Sequence, residues 1–322
     1  MKSKNIPEID MIKFIAAIFV VWIHCCFPGV VGYCVMNVGQ FAVPFFFMIA
    51  GFFMNIDSPF STYLRKIKKI SIIFLISSII YLCYDFLMHS TEPSLILSVK
   101  GVLKFILLND TGFIKYHLWF LMALIYTYFL IYILYKFLGD KIYYYVLLSL
   151  LFWPVGISIF HAATGITVPF IVFRNFLFDG APSFLIGSFF RKKEQVINEK
   201  ISLPYLIAGL ASAIILQLCL TYFKLGFTDA GFMLIAVVVL LFCVYFKNNP
   251  SKVRIRIPSD MSLMIYLVHP FFISILSVYF PSINEWIKPV LAVVLSIVAA
   301  FAYSYLISVR TMPLLLQRIM RI

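Results

Sequence analysis

The chain contains few charged residues. Only 12% of its 322 residues are charged, and 13 Asp and Glu stand against 26 Lys and Arg, whereas 63% are hydrophobic. A soluble domain carries about 25% charged and about 45–50% apolar residues. The composition therefore excludes a soluble globular protein and predicts an integral membrane protein.

Several common motifs are also missing. The six cysteines show no CxxC spacing and fall mostly in apolar segments, so we expect reduced core residues, no disulfide framework and no metal site. Cys34 is the exception, because it is expected in a short outer loop. The sequence contains no Ser–His–Asp motif, P-loop, GxGxxG or HExxH pattern. A single activated histidine, which needs none of these, can act as a general base.

Ten apolar segments are about long enough to cross a bilayer, which takes about 20 residues. The sixth contains Gly180, Pro182 and Gly187, so we expect it to be broken or tilted. The prediction is a single polytopic all-α domain over residues 1–322. Its ten transmembrane helices are 9–31, 38–56, 70–89, 116–137, 142–161, 175–190, 203–223, 230–247, 261–280 and 287–309.

The basic residues follow the predicted connections. With the N-terminus in the cytoplasm, 20 of the 26 Lys and Arg fall on the inner side and 6 on the outer side. This bias predicts cytoplasmic N- and C-termini by the positive-inside rule. The cations are thus explained as topology determinants, and no nucleic-acid partner is expected. In the outer connection 90–115, residues 95–108 are predicted to form a short surface helix.

His24 is the strongest functional candidate from the residues alone. It lies in the first apolar segment, where ionisable side chains are costly and commonly functional. Lys13 precedes it by eleven residues, which make three helical turns plus about 20° and a rise of roughly 16 Å. Both side chains thus share one face. The alternative is a histidine bonded to a neighbouring helix and a lysine that only anchors the interface.

Other polar residues map to the outer half of the predicted spans. They suit a polar, carbohydrate-like substrate, although some are explained equally well as interface residues, His161 above all. The group consists of His117, Trp119, His161, Arg174, Asn175 and Asp179.

On the inner side, the run Arg65–Lys69 is either a stop-transfer signal or a phosphate site. Asp10 lies three residues before Lys13, a spacing that allows an ion pair. His269, well inside the ninth span, either bonds to a neighbouring helix or lines the site.

Five patterns together resemble acyltransferase family 3, a family of polytopic membrane acyltransferases, from about residue 8 to 310. They are Lys13-(x10)-His24 preceded by Asp10, residues 42–47 followed by Ala50-Gly51, Lys66-x-x-Lys69, His117-Leu-Trp-Phe-Leu121 and Ile265-Tyr-Leu-Val-His-Pro270.

The resemblance implies transfer of an acyl group, commonly acetyl, from cytoplasmic acyl-CoA to a surface sugar or lipid-linked glycan. It makes acetyl-CoA a co-substrate, with no permanently bound cofactor, and implies a bacterial plasma membrane. It implies that Lys13, Lys66 and Lys69 bind the CoA phosphates and that His24 is the catalytic base.

For the acceptor we predict Arg174, Asn175, His117, Trp119 and His269 as binding residues. The Arg174-Asn175 stretch is also similar to the membrane domain of vancomycin-resistance serine racemases, for which amino-acid transport is implied. The alternative function is therefore a transporter of a small polar solute, in which His24 and Arg174 line a pathway without chemistry.

Overall fold

The computed structural model describes residues 6–88, 99–112, 114–144, 163–165, 174–223, 228–250 and 257–308, and these ranges contain helices and no strand. Two 3₁₀ turns, Tyr116–Leu118 and Gly139–Lys141, and one π-helical turn, Phe176–Gly180, accompany the α-helices. The α-helices are α1 Pro7–His24, α2 Gly29–Gly39, α3 Ala42–Phe52, α4 Phe60–Leu87, α5 Val99–Leu108, α6 Trp119–Leu138, α7 Ala181–Lys192, α8 Glu194–Lys200, α9 Leu203–Tyr222, α10 Thr228–Asn248, α11 Met261–Tyr279 and α12 Ile287–Ser308.

The protein is a multi-pass membrane protein. Within the described ranges, seven helical stretches are long and apolar enough to cross a bilayer. Ten spans and cytoplasmic termini remain predictions. The fifth predicted span, 142–161, lies outside the described residues beyond Tyr144. The seven stretches are Gly29–Phe52, Phe60–Leu87, Tyr116–Tyr144, Leu203–Tyr222, Ala230–Asn248, Met261–Tyr279 and Ile287–Leu306.

The first span differs from the prediction of one helix over 9–31. α1 ends at His24, and α2 begins only at Gly29. Pro28 is extended and disfavours helical geometry at the residue before it, and Gly29 has a φ of +63°. His24 is therefore the last residue of its helix, and its side chain is exposed. Cys34, expected in a loop, lies within α2.

The chain divides into two compact units. The first comprises residues 1–46 and 192–322, and the second comprises residues 47–191. The core of the first unit lies between α1, α11 and α12. Its small alanine side chains allow the helix backbones to approach closely. Members of this core are Ala17, Val21, Met261, Ile265, Leu276, Ala292 and Ala300.

α1 and α11 run in the same direction in the first unit. Near the start of both helices, Lys13 Nζ donates to the Ser259 carbonyl oxygen at 3.4 Å. Further along both, the rings of His24 and His269 lie with centroids 5.2 Å apart. These contacts are separated by roughly 16 Å along α1 and about 15 Å along α11 at 1.5 Å per residue. The two distances agree only if the helices are parallel and are aligned at both contacts.

The end of α2 is held by α9. Gln217, which is 1% exposed, donates from Nε2 to the Asn37 carbonyl oxygen at 3.3 Å. The Tyr33 hydroxyl in turn donates to the Thr221 carbonyl oxygen at 3.2 Å. The last carbonyls of a helix have no partner within the helix, and leaving them unpaired in lipid is costly. Gln217 therefore stabilises the point at which α2 stops.

In the second unit, α3 and α7 meet backbone to backbone. A Cβ at Gly51 would overlap the Phe184 carbonyl oxygen, and a Cβ at Gly187 would overlap the Met48 carbonyl oxygen. Arg191 links the two helices at this crossing, since its Nη1 donates to the Phe52 carbonyl oxygen at 3.1 Å. The two glycines are required here because the facing atoms belong to backbone, which cannot move aside as a side chain can.

Gly51→Ala and Gly187→Ala should each destabilise the protein, by about 1–3 kcal/mol, the usual cost of overpacking. Gly209→Ala is the matched control, because Gly209 is also helical but meets only a Val238 methyl at 4.0 Å. It should be neutral or stabilising by about 0.5–1 kcal/mol. Thermal unfolding in detergent measures all three, and equal effects would contradict the close crossing.

Candidate functional site

The first half of α1 carries a paired cation. Lys13 Nζ lies 2.6 Å from an Asp10 carboxylate oxygen, which confirms the predicted ion pair. Asp10 is buried, and Lys13 is partly buried. An ammonium has three N–H donors. The contacts with Asp10 and the Ser259 carbonyl use two of them and fix the direction of the side chain.

The other end of α1 carries a pair of imidazoles. The rings of His24 and His269 are stacked, with 30° between their planes. His269 is 0% exposed, and its Nδ1 lies 3.2 Å from the Ile265 carbonyl oxygen. His24 is exposed at the end of its helix. The structure thus brings together the predicted base and a residue predicted separately as substrate-binding.

Lys66 and Lys69 lie within α4 rather than before it. α4 begins at Phe60, ten residues earlier than the predicted third span, so the cationic run occupies its first turns. Residues three apart are neighbours on a helix surface. Lys66 is exposed and Lys69 is half-buried, so the pair forms a cationic patch that suits an anionic ligand.

His117 and Trp119 flank the start of α6. His117 is buried in the 3₁₀ turn, where its ring meets Tyr81 edge to face at 4.9 Å. The Trp119 ring lies 6.4 Å from Phe47.

An ion pair between a buried carboxylate and a partly exposed lysine lies beside Tyr81, the ring that contacts His117, and was not predicted. Lys115 Nζ lies 2.7 Å from an Asp85 carboxylate oxygen and 6.0 Å from the centre of the Tyr81 ring. Asp85, an acidic residue within an apolar segment, was the available sequence signal.

Asn175 caps the irregular turn that opens the sixth predicted span. Its Oδ1 accepts hydrogen bonds from the amides of Leu177 at 2.8 Å and Phe178 at 3.1 Å. The π-helical turn ends at Gly180 and is followed by Pro182. A proline ring in a regular helix would clash with the carbonyl four residues earlier, and the wider turn relieves this contact. The segment is thus irregular where it begins, whereas a broken or tilted sixth span stays a prediction.

Arg174 is half-buried directly before this cap. The Phe176 amide donates to Asn109 Oδ1 at 3.0 Å. The backbone that follows Arg174 is therefore fixed both by this hydrogen bond and by the Asn175 cap. His161 lies outside the described residues.

The predicted site residues fall in both units. The first unit contains the α1–α11 pair, namely Lys13, His24 and His269. The second contains Lys66, Lys69, His117, Trp119, Arg174 and Asn175.

Asn175→Ala should cost about 1 kcal/mol of stability, since it removes a helix cap. Asn175→Asp should keep the cap and most of the stability, because a carboxylate accepts the same two hydrogen bonds. Thermal unfolding measures this difference. Equal losses in both variants would contradict the capping role, whereas a stable Asn175→Asp protein with weakened substrate affinity would support the predicted binding role.

Two curated relatives are racemases by name. The chain is 26% identical over 305 residues to a serine/alanine racemase of Enterococcus gallinarum, covering 85% of this chain and 41% of the relative. It is 25% identical over 323 residues to an amino-acid racemase of Enterococcus faecalis, covering 91% of this chain and 45% of the relative. The chain thus spans less than half the length of these relatives. No solved structure matches it significantly.

The family comparison covers nearly the whole chain. The acyltransferase domain of family 3 matches residues 6–309. This range includes the second unit and most of the first, with the Lys13–His24 helix and the His269 segment. The match confirms the resemblance seen in the five sequence patterns, and the chain belongs to acyltransferase family 3.

Proposed function

We propose that the protein moves an acyl group, acetyl in the first instance, from cytoplasmic acyl-CoA to a hydroxyl of a cell-surface or lipid-linked glycan in a bacterial plasma membrane. One observation carries the proposal: the continuous helix α1 has a fixed cation, Lys13, near one end and an exposed imidazole, His24, at the other. An acyl donor with a phosphate at one end and a thioester at the other matches this arrangement.

Lys13 binds a CoA phosphate in this proposal. Its contacts with Asp10 and Ser259 use two of its three donors and keep the ammonium in place for the third. The extended pantetheine arm then follows the α1 face over roughly 16 Å and brings the thioester to His24. The family resemblance also makes Lys66 and Lys69, which form a cationic patch in the second unit, candidates for binding CoA phosphates.

His24 acts as the general base. Its neutral imidazole takes the proton from the acceptor hydroxyl as the hydroxyl oxygen attacks the thioester carbonyl carbon. The carbon–sulfur bond then breaks, and the CoA thiolate leaves and takes the proton back from the imidazolium. Each turnover returns His24 to its starting state. A positioned base of this kind contributes about 10²–10⁴-fold to the rate.

The acceptor side is assigned to the second unit. Arg174 is a half-buried cation next to the capped turn, so it suits a polar or anionic group of the glycan. Trp119, His117 and Asn175 are further proposed acceptor residues of this unit, and His117 and Asn175 are buried. Arg174 carries the charge, whereas Asn175 holds the backbone that presents it.

His24→Gln should lower acyl transfer by at least about 10²-fold, because the amide is polar and similar in size but cannot act as a base at neutral pH. The measurement is free CoA released by purified protein in detergent with acetyl-CoA and candidate glycans. Unchanged thermal stability of the variant controls for folding. Wild-type turnover by the folded His24→Gln protein would exclude His24 as the base.

Removal of the cations should weaken acyl-CoA binding. Lys13→Ala and the double variant Lys66→Ala/Lys69→Ala should raise the CoA dissociation constant, and the corresponding Arg replacements should preserve or improve affinity, since the guanidinium pairs with phosphate bidentately.

Lys68→Ala is the matched control for the double variant, because Lys68 is an exposed lysine in the same run of α4. The measurement is a CoA titration of solubilised protein. Unchanged affinity in both alanine variants would assign these lysines to membrane topology alone.

The second candidate function is transport of a small amino acid. It is favoured by the names of the two relatives, both racemases that act on amino acids. Proteoliposomes that take up labelled serine or alanine, with no CoA released from acetyl-CoA, would support transport over acyl transfer. Glycan-dependent CoA release without uptake would support the acyltransferase.

A further inference from the structure

The dipeptide His269-Pro270 changes the hydrogen bonding inside α11. Proline has no N–H, so Pro270 gives no backbone hydrogen bond to the Tyr266 carbonyl four residues earlier. The His269 ring bends back over this same turn. Its Nδ1 lies 3.2 Å from the Ile265 carbonyl oxygen. The imidazole is thus bonded to its own helix one turn before the proline.

The contact with Ile265 decides which nitrogen of His269 carries the proton. A carbonyl oxygen can only accept, so Nδ1 must be the donor. A charge on a ring that is 0% exposed would be strongly disfavoured. His269 is thus a neutral imidazole whose second nitrogen, Nε2, bears a lone pair. Its orientation is set by its own helix and does not require a substrate.

We infer that His269 is a positioning residue, which holds the imidazole of His24 in the orientation needed for proton transfer. The inference rests on the proposed function. The observation behind it is the stacked pair, with centroids 5.2 Å apart and 30° between planes. His24 is the last residue of α1, directly before a non-helical segment, so its own helix restricts it on one side only. The buried ring of His269 restricts the His24 imidazole on another side.

This role differs from the substrate contact predicted from the sequence. A substrate contact at His269 would mainly affect acceptor affinity, and its loss would raise the acceptor KM. A positioning residue leaves affinity unchanged, and its loss lowers kcat, because misplacing a catalytic group by about 1 Å can cost 10²-fold. The two roles therefore separate in steady-state kinetics.

The test compares His269→Phe with His269→Leu. Phenylalanine keeps a flat ring against His24, whereas leucine fills similar space without one. We expect His269→Leu to lose about 10²-fold in kcat at unchanged acceptor KM, and His269→Phe to recover most of this loss. Equal kcat in the two variants, or a rise in acceptor KM without a fall in kcat, would overturn the inference.

A second measurement does not depend on catalysis. The protein has five histidines, so ring-labelled histidine gives few NMR signals, and the His24 signal is identified by its loss in His24→Gln. His269→Leu should shift the His24 signal, because a stacked ring is removed, and should leave the His117 signal in place. An unmoved His24 signal would overturn the positioning role. A shifted signal in a protein without acyl transfer would instead reject the proposed function and retain the stacked pair.

Discussion

The register between α1 and α11 is the constraint on which the first unit depends. A hydrogen bond and a ring stack lie at two levels of this pair, and apolar residues such as Ala17, Val21 and Ile265 fill the space around it. Sliding one helix by a single residue would move it by 1.5 Å and require a 100° rotation to restore the facing surface. The Lys13–Ser259 hydrogen bond and the His24–His269 ring stack would then both be lost, and lipid offers no other hydrogen-bond partner. The distance between the proposed phosphate and thioester positions is therefore a property of the helix pair, and flexible side chains contribute little to it.

Polar residues of the second unit have structural partners, including one that was predicted to bind substrate. Asn175 was predicted to bind substrate, and its side-chain oxygen caps the π-helical turn. Asp85, buried in an apolar helix, is neutralised by Lys115. Such contacts are expected in a membrane, because an ionisable or polar group without a partner costs too much to retain. A polar residue with a structural partner can therefore also bind a ligand. The partner holds the side chain in one direction, and the ligand then meets a fixed group.

The sequence predicted features that depend on neighbouring residues. The shared face of Lys13 and His24 and the Asp10–Lys13 pair both follow from spacing along one helix. The end of α1 was missed because an apolar window measures hydrophobicity, although Pro28 and Gly29 were local signals for a break. The stack of His24 on His269 and the pair of Lys115 with Asp85 join residues on different segments, so no local pattern reports them.

The break after His24 has a consequence for the proposed chemistry. In an uninterrupted helix over 9–31, turns on both sides of His24 would restrict access to its imidazole. Because α1 stops at His24 and the chain is non-helical until Gly29, only the preceding turn covers it, and its side chain is exposed. A base that must meet a hydroxyl from one side and a thioester from the other requires such a position. An exposed imidazole has fewer neighbours that restrict its rotation. The buried ring of His269, which is bonded to its own helix, provides such a neighbour.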